Sequence, residues 1–374
     1  MIFPLVAALL FTLATLLPLL LLGGVLRWLR GPLGGFWRRV LWLHLAAFAL
    51  HLFVTFPGLL GLWGSRGLGT RGDERAYAGP RLSAAGELLF QDRDTLRAER
   101  DGKVVVDPAI AAAAAARART IPSSGGVTLR AFRLEARHEP PVAVVVMVHG
   151  LFRSALELER PAAMLRDLGC ECWLLELRNH GGSSRAPFSG GLHESDDVVA
   201  AVQFVRAQAD RAQVPVGLFG VSLGTIAVAL ATPRIERIAG LVLDSPMEDL
   251  GAAADRMLQF HRPDDRRSWF AMVQPWRSLV VRSLETWSHF RVEDASPITV
   301  LATMPTDVPV LIFGGGKDDR APPDRVTALF DQLPMPAADK RLWIRPESGH
   351  GDIWKGDPTG YAERLAWWVA NLRR

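Results

Sequence analysis

The sequence predicts an α/β protein: a mostly parallel sheet with helices on both faces, preceded by two apolar helices. Three observations lead there. From about residue 125 onward, short apolar runs of strand length alternate with segments of helical period, the pattern of a parallel sheet with crossover helices. One of those runs, Val142–Val148, is apolar without interruption, as a strand buried on both faces must be. Ahead of them, the first 63 residues hold two long apolar runs joined by an arginine-rich loop.

The chain has 374 residues, enough for a large catalytic domain with an appendage. Its 43 basic and 39 acidic residues give a formal net charge of +4, too balanced for a nucleic-acid-binding surface, and no basic-aromatic stripe is present. The two cysteines, Cys170 and Cys172, stand two apart in a strand pattern. They point to one face and are read as small core residues rather than a disulfide.

Residues 1–63 read as a membrane anchor. Ile2–Leu22 carries no charge, and Val40–Trp63 is broken only by His44 and His51. Each reaches the roughly 20 residues that a helix needs to cross a bilayer. The loop between them carries Arg27, Arg30, Arg38 and Arg39 with Trp28 and Trp37, and no acid. Those are the marks of a cytoplasmic loop with interfacial anchors. A hairpin with that loop inside puts the catalytic domain on the extracytoplasmic side. A signal peptide fits less well, because no basic residue precedes the first run and a second run follows. His44 and His51 share one helical face and are read as facing a partner helix or an interface.

Residues 64–124 are rich in Gly, Arg, Asp and Glu and read as a linker with one short helix. That helix is signalled by Asp107 as cap, Pro108 at its first position and the alanine run that follows. Residues 125–374 are the expected catalytic domain. The strands are expected at Leu129–Glu135, Val142–Val148, Cys170–Leu177, Val214–Phe219, Ile238–Leu243, Val308–Phe313 and Arg341–Ile344. The helices are expected at Ala155–Leu168, Asp196–Ala209, Leu223–Ala231, Asp324–Leu333 and Tyr361–Leu372. An insertion at about 251–305, bearing Trp269, Trp276 and Trp287, is read as a helical cap over the site.

The chemistry is signalled by Gly220-Val221-Ser222-Leu223-Gly224, a G-x-S-x-G match. Alone it is weak, since roughly 0.1 such matches arise by chance in a chain of this length. Its context lifts it: an apolar strand precedes it and an apolar helix follows. Ser222 is the candidate nucleophile, which needs a base to take its proton. His350 lies after the last expected strand and before the last helix. Asp318, in the loop after Val308–Phe313, is the candidate acid to orient the imidazole. Asp244 and Asp319 are the alternatives for that third place. The oxyanion donors are expected to be the amides of Leu223 and of Leu151, with Phe152 as the second choice after Leu151.

Further motifs in sequence order are Met147-Val148-His149-Gly150-Leu151-Phe152, Glu176-Leu177-Arg178-Asn179-His180-Gly181-Gly182-Ser183 and Pro309–Asp318 with Pro322. With the serine motif and Ser348-Gly349-His350-Gly351, the chain from about Thr128 onward resembles the α/β-hydrolase superfamily. Within it, the likeness is to bacterial serine aminopeptidase-like or monoacylglycerol-lipase-like members. The resemblance implies an α/β-hydrolase fold and an enzyme using the order Ser, Asp, His. The favoured expectation is a membrane-anchored serine hydrolase that cleaves carboxylic esters of a small acyl substrate, lipid-like or otherwise apolar. An acyltransferase, a thioesterase or a serine peptidase would use the same triad, and a non-catalytic membrane-attached scaffold stands as a third class.

His149 is read as structural, holding the oxyanion loop, and His180 as a turn residue. His193, Glu194, Asp196 and Asp197 suggest a metal cluster only superficially, because acids are favoured in the first turn of a helix. Gly314-Gly315-Gly316 lacks the ending of a phosphate-binding loop. No cofactor or metal is required by the sequence, and the oligomeric state is left open.

Overall fold

The computed structural model describes residues 34–70, 72–252 and 275–373. Two units divide the chain, one holding Met1–Ser65 with His261–His289 and the other Arg66–Phe260 with Phe290–Arg374.

The larger unit is built on an eight-stranded sheet. Its strands are β3 (Ala118–Pro122), β4 (Thr128–Leu134), β5 (Ala143–Val148), β6 (Cys170–Glu176), β7 (Val216–Val221), β8 (Ile238–Asp244), β9 (Val310–Gly315) and β10 (Lys340–Arg345). They lie in the order β10-β9-β8-β7-β5-β6-β4-β3. From β6 to β10 all neighbours are parallel, while β4 is antiparallel to both β6 and β3. A separate antiparallel pair, β1 (Arg81–Leu82) and β2 (Leu88–Leu89), precedes the sheet.

The apolar run of β5 explains its central place. Val144, Val146 and Val148 enter the core on one face, and Ala143, Val145 and Met147 enter the core on the other. All six are fully buried. Side chains alternate along a strand, so only a run apolar at every position can serve two cores at once. Each large aliphatic side chain so buried contributes about 1.5–3 kcal/mol. The first core takes Val198, Val202 and Val205 from the helix Leu192–Arg206, Ala227 and Val228 from Leu223–Ala231, and Val326 and Leu329 from Pro323–Asp331. The second takes Ala162 and Leu165 from Glu159–Asp167, and Tyr361, Leu365 and Trp368 from Pro358–Ala370.

The last of these helices seats in a slot. Gly217 of β7 and Gly240 of β8 are register partners. A Cβ on Gly217 would lie 2.6 Å from the Trp368 ring, and one on Gly240 would lie 2.6 Å from its Nε1. The paired glycines clear the strand surface for an indole that is fully buried.

Two expectations change here. Residues 64–124 were expected to form a linker, but from Arg66 on the segment is part of the larger unit. β3 joins the sheet edge, Tyr77, Leu96 and Ala114 are buried, and Tyr77 packs edge-on against Phe132 with ring centroids 5.3 Å apart. The expected helix is present at Pro108–Ala116, with the Asp107 carboxylate accepting from the Ala109 amide. The insertion at 251–305 is also divided. Residues 253–274, including Trp269, lie outside the described residues. Phe290 onward returns to the larger unit, where Leu301 and Met304 enter the first core. That part is a short helical excursion whose helix Pro297–Leu301 packs against the helix Leu223–Ala231.

A continuous helical rod runs through Gly34–Leu50, a π turn at His51–Thr55 and Phe56–Gly67, all but its last two residues in the smaller unit. The insertion helix Trp276–Ser288 is placed in the same unit. Trp276 stacks on Phe53 with ring centroids 5.5 Å apart, and its indole N–H donates to the Leu52 carbonyl at 3.2 Å. The expected first span, Ile2–Leu22, lies outside the described residues. One described segment, Leu45–Arg75, is long and apolar enough to cross a membrane, with a mean hydropathy of 1.9 and 11% of its apolar window buried.

The Trp368 slot carries a prediction. Trp368→Ala is expected to lower the unfolding free energy by about 3–5 kcal/mol, read from urea denaturation with the slope unchanged.

Candidate active site

The candidate residues sit where the chain leaves the carboxyl ends of the central strands. Sheet order reverses between β5 and β7, because β6 lies on one side of β5 and β7 on the other. Such a switch point opens a crevice above the sheet. Ser222 follows β7 directly, and the loop His149–Phe152 follows β5.

The turn at Ser222 is strained, with φ 52° and ψ −116°. Such a conformation costs a non-glycine residue of order 1–3 kcal/mol and persists only where neighbours enforce it. The neighbours are close. A Cβ on Gly220 would meet the Gly224 carbonyl oxygen at 2.6 Å, and one on Gly224 would meet the Val148 carbonyl oxygen at 2.4 Å. The Ser222 amide donates to the Asp244 carbonyl at 2.9 Å, and the Thr225 hydroxyl and amide both donate to the Ser222 carbonyl. The Ser222 side chain is thereby presented at the N-terminus of the helix Leu223–Ala231, whose positive end favours an anion.

His350 and Asp318 converge on it from the loops after β10 and β9. His350 Nε2 lies 2.7 Å from Ser222 Oγ, and His350 Nδ1 lies 2.8 Å from Asp318 Oδ2. The second Asp318 oxygen accepts from the Arg320 and Ala321 amides, each at 2.9 Å, so the carboxylate is fixed at both ends. The two loops are zipped by Gly316 N–H to Arg345 O at 2.8 Å and Lys317 N–H to Ser348 O at 2.9 Å. A Cβ on Gly315 would lie 2.5 Å from the Gly349 carbonyl oxygen. Gly315 and Gly316 therefore serve loop-to-loop approach, while Gly314 makes room for the Ile344 side chain of β10.

Of the two alternative acids, Asp244 is engaged elsewhere. Its Oδ2 accepts from the Tyr361 hydroxyl at 2.7 Å and its Oδ1 from Ser245 Oγ at 3.0 Å. Ser245 Oγ in turn accepts from the Gly351 amide at 2.9 Å, so Asp244 steadies the histidine loop from behind. Burial pushes its carboxyl up to about 6, against the hydrogen bonds from Tyr361 and Ser245.

Leu223 is the first residue of its helix, so its N–H is among those with no intrahelical acceptor. In the other loop, the Gly150 amide is already committed to the Glu157 carboxylate at 2.7 Å, and Leu151 is the next along the chain. His149 is fully buried, with Nδ1 2.8 Å from the Gly150 carbonyl and Nε2 accepting from the Leu177 amide at 3.2 Å. Those bonds need a neutral ring with its proton on Nδ1. Burial first, then the neighbouring His180, depresses its pKa to about 3. His180 Nδ1 lies 2.9 Å from the Arg178 carbonyl in the turn after β6.

The His193–Asp197 cluster is structural. Glu194 accepts from Ser189 Oγ at 2.5 Å and from the Gly191 amide at 2.9 Å, closing the start of its helix. Asp196 pairs with Arg234 at 2.6 Å and Asp197 with Arg178 at 2.7 Å. Among the described residues, no three His, Cys, Asp or Glu side chains gather as metal ligands would. Two participants escaped the sequence reading: Glu157 behind the loop after β5, and the Ser245–Gly351 bond. Neither belongs to a motif: Glu157 acts through a bond to an amide seven residues away, and Ser245 and Gly351 meet across 106 residues.

With this geometry in place, comparison with known proteins gives the class. A sequence profile described as "Alpha/beta hydrolase family" matches residues 145–364, more than half of the chain, and the chain belongs to that family. Protein bem46 of Schizosaccharomyces pombe is 23% identical over 206 residues, covering 54% of this chain and 58% of its own length. The chain thus matches little more than half of that relative. Among solved structures, an esterase of Pyrococcus furiosus superposes with a TM-score of 0.53 at 18% identity, covering 68% of this chain and 92% of the esterase. The alpha/beta hydrolase GrgF of a Penicillium species gives a TM-score of 0.52 at 16% identity, covering 67% and 96% of the two chains.

The Asp244 environment sets a pH dependence. Between about pH 4 and 6 the unfolded carboxyl is ionised while the folded one keeps its proton, so wild type loses stability as pH rises through that window. Asp244→Asn has no such proton to hold. Its unfolding free energy relative to wild type is expected to improve by up to about 3 kcal/mol from pH 4 to pH 6 and to stay level above, measured by urea unfolding at each pH.

Proposed function

We propose that this protein is a serine hydrolase acting on carboxylic esters through Ser222, His350 and Asp318, tethered to a membrane by its N-terminal apolar segment. The observation that carries the chemistry is the Ser222–His350–Asp318 chain of contacts, 2.7 Å and then 2.8 Å. In this reading His350 Nε2 takes the Ser222 proton as Oγ attacks the ester carbonyl. The Leu223 and Leu151 amides receive the developing oxyanion. The alcohol leaves with a proton from the imidazolium, and a water activated by His350 hydrolyses the acyl-enzyme. Asp318 holds the imidazole in the tautomer with its proton on Nδ1 and stabilises the imidazolium.

The membrane part rests on chemistry at the surface of the helical rod. Trp42, Leu43, Leu50, Val54 and Leu59 are exposed by 58–68% on a segment with no acidic residue before Asp73. Large apolar side chains laid open along one helix favour hydrocarbon over water. Two spans with the arginine loop on the cytoplasmic side, and the catalytic unit outside, complete the proposal. A lipid-like acyl ester presented at that surface is the favoured substrate class.

Wild type is expected to react with a fluorophosphonate probe and to hydrolyse a p-nitrophenyl ester. Ser222→Ala should abolish labelling and lower kcat by about 10⁶-fold, and Asp318→Asn by about 10⁴-fold. A folded wild type that neither labels nor turns over would reject the hydrolase reading. For topology, a C-terminal alkaline phosphatase fusion in bacteria is expected to be active; an inactive phosphatase with a fluorescent C-terminal GFP fusion would reverse the orientation.

A further inference from the structure

The loop after β5 is held by a four-residue ionic chain outside the catalytic contacts. Arg93, from the helix Arg93–Arg100, donates through Nη2 to the Phe152 carbonyl at 3.2 Å and through Nε to Glu74 Oε1 at 2.5 Å. Glu74 is 1% exposed and also meets Arg153 Nη1 at 3.5 Å. Arg153 Nε lies 3.2 Å from Glu157 Oε1, and Glu157 Oε2 accepts from the Gly150 amide at 2.7 Å. The chain is closed on the loop at both ends, at the Gly150 amide and the Phe152 carbonyl. Leu151 lies between these two fixed points.

Two features show that the loop needs this. Phe152 has φ 63°, a conformation that a bulky aromatic residue adopts only when its surroundings hold it there. Gly150 is wedged between the chain and the serine: a Cβ on it would lie 3.2 Å from Ser222 Cβ and 3.3 Å from Glu157 Oε2. A carboxylate so near a developing oxyanion would oppose it. The two arginines, alternating with the two acids, leave the four-residue chain neutral.

Resting on the hydrolase reading above, we infer that Glu157, with Arg153, Glu74 and Arg93 behind it, is a positioning residue that sets the Leu151 amide for oxyanion binding. The segment 66–124 is then part of the catalytic apparatus, since it supplies both Glu74 and Arg93. Geometry of this kind acts on the transition state more than on the bound ester, because donors must meet the oxyanion rather than the carbonyl oxygen.

The test is Glu157→Ala, Glu157→Gln and Arg93→Ala in the full chain. Each is assayed for kcat and KM on an activated ester, the rate of fluorophosphonate labelling, and hydrogen exchange of the peptide 148–153. Glu157→Ala is expected to lower kcat and the labelling rate together by about 10- to 100-fold, with KM within about twofold. Its peptide 148–153 should exchange faster while the sheet does not. Glu157→Gln, which keeps an acceptor for the Gly150 amide, should recover to within about fivefold of wild type, and Arg93→Ala should fall between. A folded Glu157→Ala with kcat within twofold of wild type, a loss confined to KM, or unchanged exchange would overturn the inference. An inert wild type would instead reject the hydrolase reading, and the exchange comparison would still decide whether Glu157 holds the loop.

Discussion

The structure depends on a close backbone approach. The helix after Ser222 passes so near the end of β5 that only glycine fits at position 224, with the Val148 carbonyl oxygen 2.4 Å from where a Cβ would stand. That approach brings the serine turn and the loop after β5 to one point above the sheet. It also forces Ser222 into its positive-φ turn, a cost of order 1–3 kcal/mol that the surrounding sheet absorbs. Strand order does the rest, because β5 and β7 can be neighbours only where the sheet changes direction.

Around that point the molecule spends glycines on backbone contact and charges on loop placement. Gly315 and Gly316 let the loops bearing Asp318 and His350 lie against each other, and the Arg320 and Ala321 amides aim Asp318. Asp244 is withdrawn into a bond with Tyr361 and serves the histidine loop through Ser245. The neutral His149 does the corresponding service beneath the loop after β5. Buried ionisable groups of this kind add little net stability, but each removes an alternative geometry.

Much of this was legible in the residues. Val142–Val148 could be a strand of two cores because every position is apolar, and β5 is the strand observed. Leu223–Ala231 was bounded by the motif itself and is the helix observed. The helix expected at Asp196 begins instead at Leu192, since the Glu194 carboxylate reaches back to the Gly191 amide and starts the turn earlier. β3 was missed because Ala118–Pro122 is an edge strand of mixed polarity at the end of an alanine run, where local propensity favours helix. The part played by Arg66–Ser124 was hidden for a different reason. Its composition is that of a solvated linker, yet its charges are spent on partners far along the chain, as Arg81 is on Glu99 and Arg93 on Glu74 and Phe152. Ion pairing at such separations leaves no periodicity to read.

The slot that Gly217 and Gly240 open for Trp368 bears on the order in which the protein assembles. Both glycines lie in strands made well before the helix Pro358–Ala370 that fills the space between them. β10 and His350 come from the same late stretch of chain, and among the described residues β10 pairs only with β9. A chain still being synthesised therefore has no imidazole beside Ser222 and an uncovered trough along two central strands. Contacts over such separation form slowly, because the intervening loop must close first. Burial of that trough and the meeting of His350 with Ser222 then arrive as one late event, when the helix Pro358–Ala370 docks.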